Sequence, residues 1–120
     1  MLATMVYRGI VQKGERRGTA LGFPTANILL EDDSLSGIYI ASTKLRGDKY
    51  DSAVFIDNYR KILEAHFLDF PPEDLYGEEI EVELLEKIRE HESFEDDETL
   101  RACIKEDIQA VREYFKNTHV

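Results

Sequence analysis

What this chain has little of narrows its function before any motif is read. It has one cysteine, Cys103, so neither a disulfide framework nor a cysteine metal site can be built. Cys103 falls at an apolar position of a helix-like stretch, where a small buried core residue is expected. No apolar run is long enough to span a bilayer and no signal-like segment opens the chain. A soluble cytoplasmic protein with no membrane partner is therefore expected. Basic residues are scarce as well: 15 Lys and Arg stand against 25 Asp and Glu, for a formal charge of -10. Nucleic-acid backbones call for clustered lysine and arginine, so no nucleic-acid partner is expected. Repeats, linkers and low-complexity tracts are absent, and 120 residues suit one domain spanning 1–120, expected to be a monomer.

What is present is unevenly placed. The acidic residues crowd between Glu73 and Glu113, whereas Arg8, Lys13, Arg16 and Arg17 stand close together near the start. A bound phosphate is accordingly expected at the N-terminal end. Met5 to Val11 mixes β-branched and aromatic types, and Gly14, Gly18, Gly22 and Pro24 then break the pattern before Ile28-Leu29-Leu30; this predicts strand, loop, strand. Gly37 to Leu45 alternates, Arg46-Gly47-Asp48 turns the chain, and Tyr50 to Ile56 completes a hairpin. From Ile62 to Phe70, Leu63, Ala65 and Phe67 face one way, and Ile62, Glu64, His66 and Leu68 the other. Glu79 to Leu84 alternates acid with aliphatic, a half-buried strand with a solvated back. After Phe94 the period changes: Leu100, Ile104, Ile108, Val111 and Phe115 fall on one helical stripe, with Asp96 or Asp97 as the N-cap. About six short strands and one helix predict a mostly β fold, a small antiparallel barrel with the helix packed on its outside.

Three groups of residues could carry chemistry. In Gly14 to Asn27, three glycines and a proline would let backbone N–H groups approach phosphate oxygens, although an arch between two barrel strands explains the same spacing. No Gly-Lys-Ser or Gly-Lys-Thr follows, which excludes a Walker loop. Thr25 and Asn27, two residues apart in an extended segment, share a face and offer neutral oxygens of the kind magnesium accepts. Glu64 could take the proton of an attacking hydroxyl, as phosphoryl transfer requires, or could be a solvated strand residue. His66 shares its face, as neighbour or participant.

Read in chain order, these segments resemble the riboflavin kinase family. The resemblance rests on Leu21-Gly22-Phe23-Pro24-Thr25-Ala26-Asn27 preceded by Gly14 and Gly18. It continues through Gly37-Ile38-Tyr39, Glu64-Ala65-His66, Leu75-Tyr76-Gly77, Ile88-Arg89, Phe94, Leu100 and Asp107, and covers roughly residues 5 to 116. It implies a six-stranded antiparallel Greek-key barrel with one C-terminal helix, and transfer of a phosphoryl group from ATP to riboflavin, giving FMN. It further implies that Thr25 and Asn27 hold Mg2+ and the ATP phosphates. Gly14, Arg17, Gly18, Gly22 and Pro24 would belong to the nucleotide loop, Glu64 would be the general base, and Arg89, Phe94 and Leu100 would border the flavin. Tyr76 and Gly77 look structural, completing a turn before the acidic strand.

The chain departs from the family pattern in places. Phe55 to Lys61 is several residues shorter than usual and lacks the Asn-Ile-Gly and Pro-Thr-Phe segments. Arg16 and Thr19 replace a common glycine and a common arginine. Bacterial members are often joined to an adenylyltransferase, but His66, His91 and His119 do not form the histidine pair of a nucleotidyltransferase motif. The expected function is riboflavin kinase; the rival is an altered barrel that binds nucleotide or flavin without efficient transfer.

Overall fold

The computed structural model describes residues 5–13, 25–32, 34–70, 73–90 and 96–118. Among these, six strands precede one helix: β1 (Met5–Ile10), β2 (Thr25–Leu29), β3 (Gly37–Leu45), β4 (Asp48–Asp57), β5 (Ile62–Phe67), β6 (Glu79–Arg89) and α1 (Asp97–Thr118). All pairings are antiparallel, in the order β1-β6-β3-β4-β5-β2. β3, β4 and β5 form a meander and β6 returns beside β3, which is a Greek key.

Side chains alternate across a strand, so each strand splits its residues between two environments. The inner face collects Ala26 and Ile28 of β2, Tyr39, Ala41 and Leu45 of β3, Val54 and Ile56 of β4, Leu63, Ala65 and Phe67 of β5, and Ile80, Val82 and Leu84 of β6. The interior also holds one polar pair, Thr43 and Ser52, both fully buried. Their hydroxyls lie 2.7 Å apart and Ser52 Oγ donates to the Ala41 carbonyl at 3.1 Å, so neither is left unsatisfied.

The sheet curls into a half-barrel whose two edges meet at one place. Val11 N–H donates to the Glu78 carbonyl at 2.8 Å, and the next residue, Gln12, turns its N–H to the Asn27 carbonyl at 2.7 Å. The crossing is close because Gly9 has no side chain: a Cβ there would sit 3.0 Å from Ile28 Cβ. The β3–β4 hairpin closes on Arg46 and Gly47, with φ of 52° and 86°, the doubly left-handed pair that a two-residue turn needs and glycine eases. Gly77 lies in the turn before β6, where its N–H donates to the Val11 carbonyl at 3.0 Å.

α1 covers part of the outer face. Asp96 Oδ1 accepts the Thr99 N–H at 2.7 Å and caps the first turn. Val111 is fully buried against Ile40, Ala53 and Leu68, with Phe55, Leu85, Ile88, Ile108, Tyr114 and Phe115 around it. Leu85 and Ile88 reach this layer because the β3–β6 register slips twice, between Ile38 and Tyr39 and between Ile40 and Ala41. Each slip adds a residue to β6 and resets its alternation. Sequence periodicity ended this strand at Leu84; it runs five residues further, to Arg89. β2 begins at Thr25 rather than Ile28, and β5 stops at Phe67 rather than Phe70, two residues before Asp69, whose φ is 56°. Cys103 is half-buried, not the core residue expected, since Ile104 takes the inward position beside it.

A largely buried ion pair fastens the helix to β6. Arg89 Nε and Nη2 donate to Asp107 Oδ1 and Oδ2 at 3.0 and 2.8 Å, with side-chain exposures of 22% for the arginine and 3% for the aspartate. Removing the arginine would strand a dry carboxylate, whereas removing the aspartate leaves a guanidinium that water partly reaches. Arg89→Met should thus cost about 3–5 kcal/mol and Asp107→Leu about 1–2 kcal/mol. Urea unfolding of the two variants checks the order; equal losses would contradict it.

Candidate active site

The pairing register gathers the sequence-identified residues into adjoining rows on the outer face. One row crosses five strands through successive partners: Arg89 to Ile38, Ile38 to Phe55, Phe55 to Glu64, and Glu64 to Asn27. The next row runs Ile40, Ala53, His66, Thr25. Residues directly opposite in an antiparallel pair share a face, and Ile40, Ala53 and Phe55 belong to the layer under α1. Thr25, Asn27, Glu64 and His66 therefore form a polar square on the outer face, beside the part that the helix covers.

The square has a definite internal order. His66 is 1% exposed, and its Nε2 lies 2.8 Å from Glu64 Oε1. Its ring lies against that of Phe55, with centroids 4.5 Å apart. Asn27 is 6% exposed, and its Oδ1 is buried with no hydrogen-bond partner. A buried carbonyl oxygen without a donor costs about 1–3 kcal/mol unless something supplies one. It is the kind of group that accepts a cation or a ligand N–H. Thr25 and Glu64 are both half-buried, so the square opens outward rather than closing over.

Among the described residues, no cluster of three or more His, Cys, Asp or Glu could hold a metal. A metal here would depend on the neutral oxygens of Thr25 and Asn27 and on oxygens of its own ligand. That donor set fits Mg2+, which retains water and binds through few protein groups and phosphate, and the orphaned Asn27 Oδ1 is consistent with it.

The remaining expected site residues are placed less directly. Arg89 stands on the Glu64 row, three strand spacings away, about 14 Å at about 4.8 Å each; its guanidinium is engaged with Asp107. Leu100 is half-buried in the first turn of α1. Gly14, Arg17, Gly18, Gly22 and Pro24, and with them the phosphate loop, lie outside the described residues, as does Phe94. The short connection after β4 is a compact turn in which Asp57 Oδ1 accepts the N–H groups of Tyr59 and Arg60, each at 3.1 Å. Two structural partners went unread from sequence: Phe55, packed on His66, and Asp107, which holds Arg89. Asp107 carried a signal, a lone acid three residues after Ile104 and four before Val111 on the buried stripe.

A concavity of about 490 Å3 lies between β1 and the end of β2 and includes Tyr7, Gln12, Leu29 and Asp32. Tyr7 Oη donates to Asp32 Oδ2 at 2.9 Å. Burial first, and then this bond, push the phenol up to about 12, so it ties the strand end and does not exchange protons near neutrality.

In sequence and fold the chain is similar to known proteins of one family. The family described as Flavokinase, riboflavin kinase, matches residues 2–115. The RNA-binding riboflavin kinase RibR of Bacillus subtilis is 35% identical over 92% of this chain and 51% of its own length. The bifunctional riboflavin kinase/FMN adenylyltransferase of Haemophilus influenzae is 30% identical over 91% of this chain and 38% of its own. The crystal structure of riboflavin kinase from Trypanosoma brucei superposes with a TM-score of 0.68 at 25% identity, covering 98% of this chain and 84% of that one. The chain spans between about a fifth and a half of the length of the first curated relatives it matches, 19%, 38% and 51%. With the match running over nearly the whole chain and the Greek-key sheet and C-terminal helix in agreement, this protein belongs to the riboflavin kinase family.

Proposed function

We propose that this chain transfers the terminal phosphoryl group of ATP to the end hydroxyl of the ribityl chain of riboflavin, giving FMN and ADP. The observation that carries the reading is the direct cross-strand pairing of Asn27 with Glu64, a buried amide oxygen without a partner beside a half-buried carboxylate. Phosphoryl transfer asks the protein chiefly for alignment and charge neutralisation, with a proton acceptor at the attacking hydroxyl. Glu64 accepts that proton as the new oxygen–phosphorus bond forms and the bond to the ADP oxygen breaks. Thr25 and Asn27 would hold Mg2+, which when bound neutralises charge on the phosphates. Gly14, Gly18 and Gly22 are proposed to line the nucleotide phosphates through backbone N–H groups and Arg17 through its side chain, with Pro24 fixing the end of the same nucleotide loop. Riboflavin is proposed to lie toward Arg89, Phe94 and Leu100. In this arrangement Arg89 fixes the sheet–helix edge through Asp107 while the flavin packs beside it.

The rival reading, an altered barrel without transfer, is disfavoured. The shortened 56–62 connection folds into a self-bonded turn, and Thr25, Asn27 and Glu64 stand together on one face.

Two measurements test the reading. Asn27→Leu removes a buried amide oxygen that has no hydrogen-bond partner and puts an apolar group of similar size in its place, so stability should change by less than about 1 kcal/mol. Mg-ADP affinity, followed by calorimetry, should fall about tenfold or more; unchanged affinity would place the metal elsewhere. Glu64→Gln can still accept the His66 bond but cannot take a proton. FMN formation from riboflavin and Mg-ATP, followed by chromatography, should fall at least about a hundredfold with nucleotide affinity nearly unchanged. Turnover near the parent rate would remove Glu64 as the base.

A further inference from the structure

His66 is buried more completely than its chemistry requires. Its exposure is 1%, its cross-strand neighbours are Ala53 and Thr25, and Phe55 lies against its ring. Such surroundings suit an apolar residue. The imidazole nevertheless makes one hydrogen bond, through Nε2 to Glu64 Oε1 at 2.8 Å, and its Nδ1 is buried with no partner. A core histidine kept for stability would be expected to satisfy both nitrogens. Here one nitrogen is sacrificed while the other is aimed at a carboxylate.

The geometry also assigns the tautomer. An ionised carboxylate only accepts, so the shared hydrogen sits on Nε2. A second hydrogen on Nδ1 would have no acceptor, so Nδ1 is the bare nitrogen.

We infer that His66 is a positioning residue: its Nε2–H pins Oε1 of Glu64 and thereby presents the other carboxylate oxygen to the substrate hydroxyl. A glutamate side chain has three rotatable bonds and, where half-exposed, samples many orientations. A short bond to a ring wedged between strands removes most of that freedom. The bond is assisted by the carboxylate charge, and the ring is held by its burial and by Phe55 packed against it. Misplacing a reacting group by about 1 Å can cost up to about a hundredfold in rate, so this restraint is large enough to matter. The inference rests on the proposed role of Glu64 as base.

The test uses the whole chain with four variants and one spectrum. His66→Phe keeps a ring in the site and removes the donor. His66→Gln restores an N–H that reaches about as far from the backbone as imidazole Nε2. For His66→Phe, kcat should fall about ten- to a hundredfold while KM for riboflavin and for ATP stays within about twofold. His66→Gln should recover most of the loss. In the Glu64→Gln background, adding His66→Phe should produce no further decrease, because the histidine acts only through that carboxylate. Long-range 1H–15N spectra of the parent protein should show His66 as the neutral Nε2–H tautomer. Parent-like kcat in a folded His66→Phe, equal impairment of the Phe and Gln variants, additive losses in the double variant, or a hydrogen on Nδ1 would each overturn the inference. Glu64→Gln alone separates the two levels. If it collapses turnover while His66→Phe does not, only the positioning role fails; if it leaves turnover intact, the base assignment fails and the inference falls with it.

Discussion

Every strand of this sheet has two faces, and the inner face is filled by hydrophobic side chains around the hydrogen-bonded pair of Thr43 and Ser52. That constraint organises the rest of the molecule. With Ala26, Ile28, Leu63, Ala65, Val54 and Ile56 turned inward, alternate residues must point out, and Thr25, Asn27, Glu64 and His66 have no other side to occupy. A one-residue slip of β2 against β5 would turn Ala26 and Ile28 outward in place of Thr25 and Asn27 and leave Glu64 and His66 without their polar partners. The same pairing that closes the core therefore sets the chemistry, and the site needs no loop to bring its carboxylate and amide together.

The outer face is then divided between two uses. α1 covers the region over β3, β4 and the end of β6 with an apolar layer centred on Val111, Ile40 and Ala53. The polar square sits at the margin of that layer, on β2 and β5. Phe55 belongs to both, packed under the helix on one side and against His66 on the other. The two β6 bulges make the division work, because without them Leu85 and Ile88, three residues apart, would fall on opposite faces instead of both lying under α1. Displacing the helix would therefore loosen the wall on which the histidine leans.

Charge is distributed in keeping with this plan. Glu79, Glu81 and Glu83 alternate with inward Ile80, Val82 and Leu84 and leave an acidic outer face on the first half of β6. Arg8 answers Glu81 on that face, and Arg46 answers Glu73 and Glu78 in the segment before it. These pairs are exposed and contribute little to stability individually. The buried Arg89–Asp107 pair differs in kind, because its aspartate has no water to fall back on.

The sequence by itself determined the strands of strict alternation, the turn at Arg46-Gly47, the amphipathic helix with its aspartate cap, and the sharing of a face by Thr25 with Asn27 and by Glu64 with His66. Each follows from a period of two or 3.6 residues, or from a residue that favours a particular φ, and such signals are local. Resemblance of the Leu21–Asn27 and Glu64–His66 segments to one family supplied the expected roles. What only the tertiary structure decided was the meeting of these faces. Asn27 and Glu64 are 37 positions apart in sequence, and no local rule fixes that β2 pairs with β5, or in which register. The extension of β6 past Leu84 was hidden because a bulge breaks the alternation by which strands are recognised. The burial of Asp107 was hidden because an acid is normally solvated unless a partner, here Arg89, 18 positions earlier, is folded onto it. Local patterns say which way a side chain points, and only long-range pairing says what it points beside.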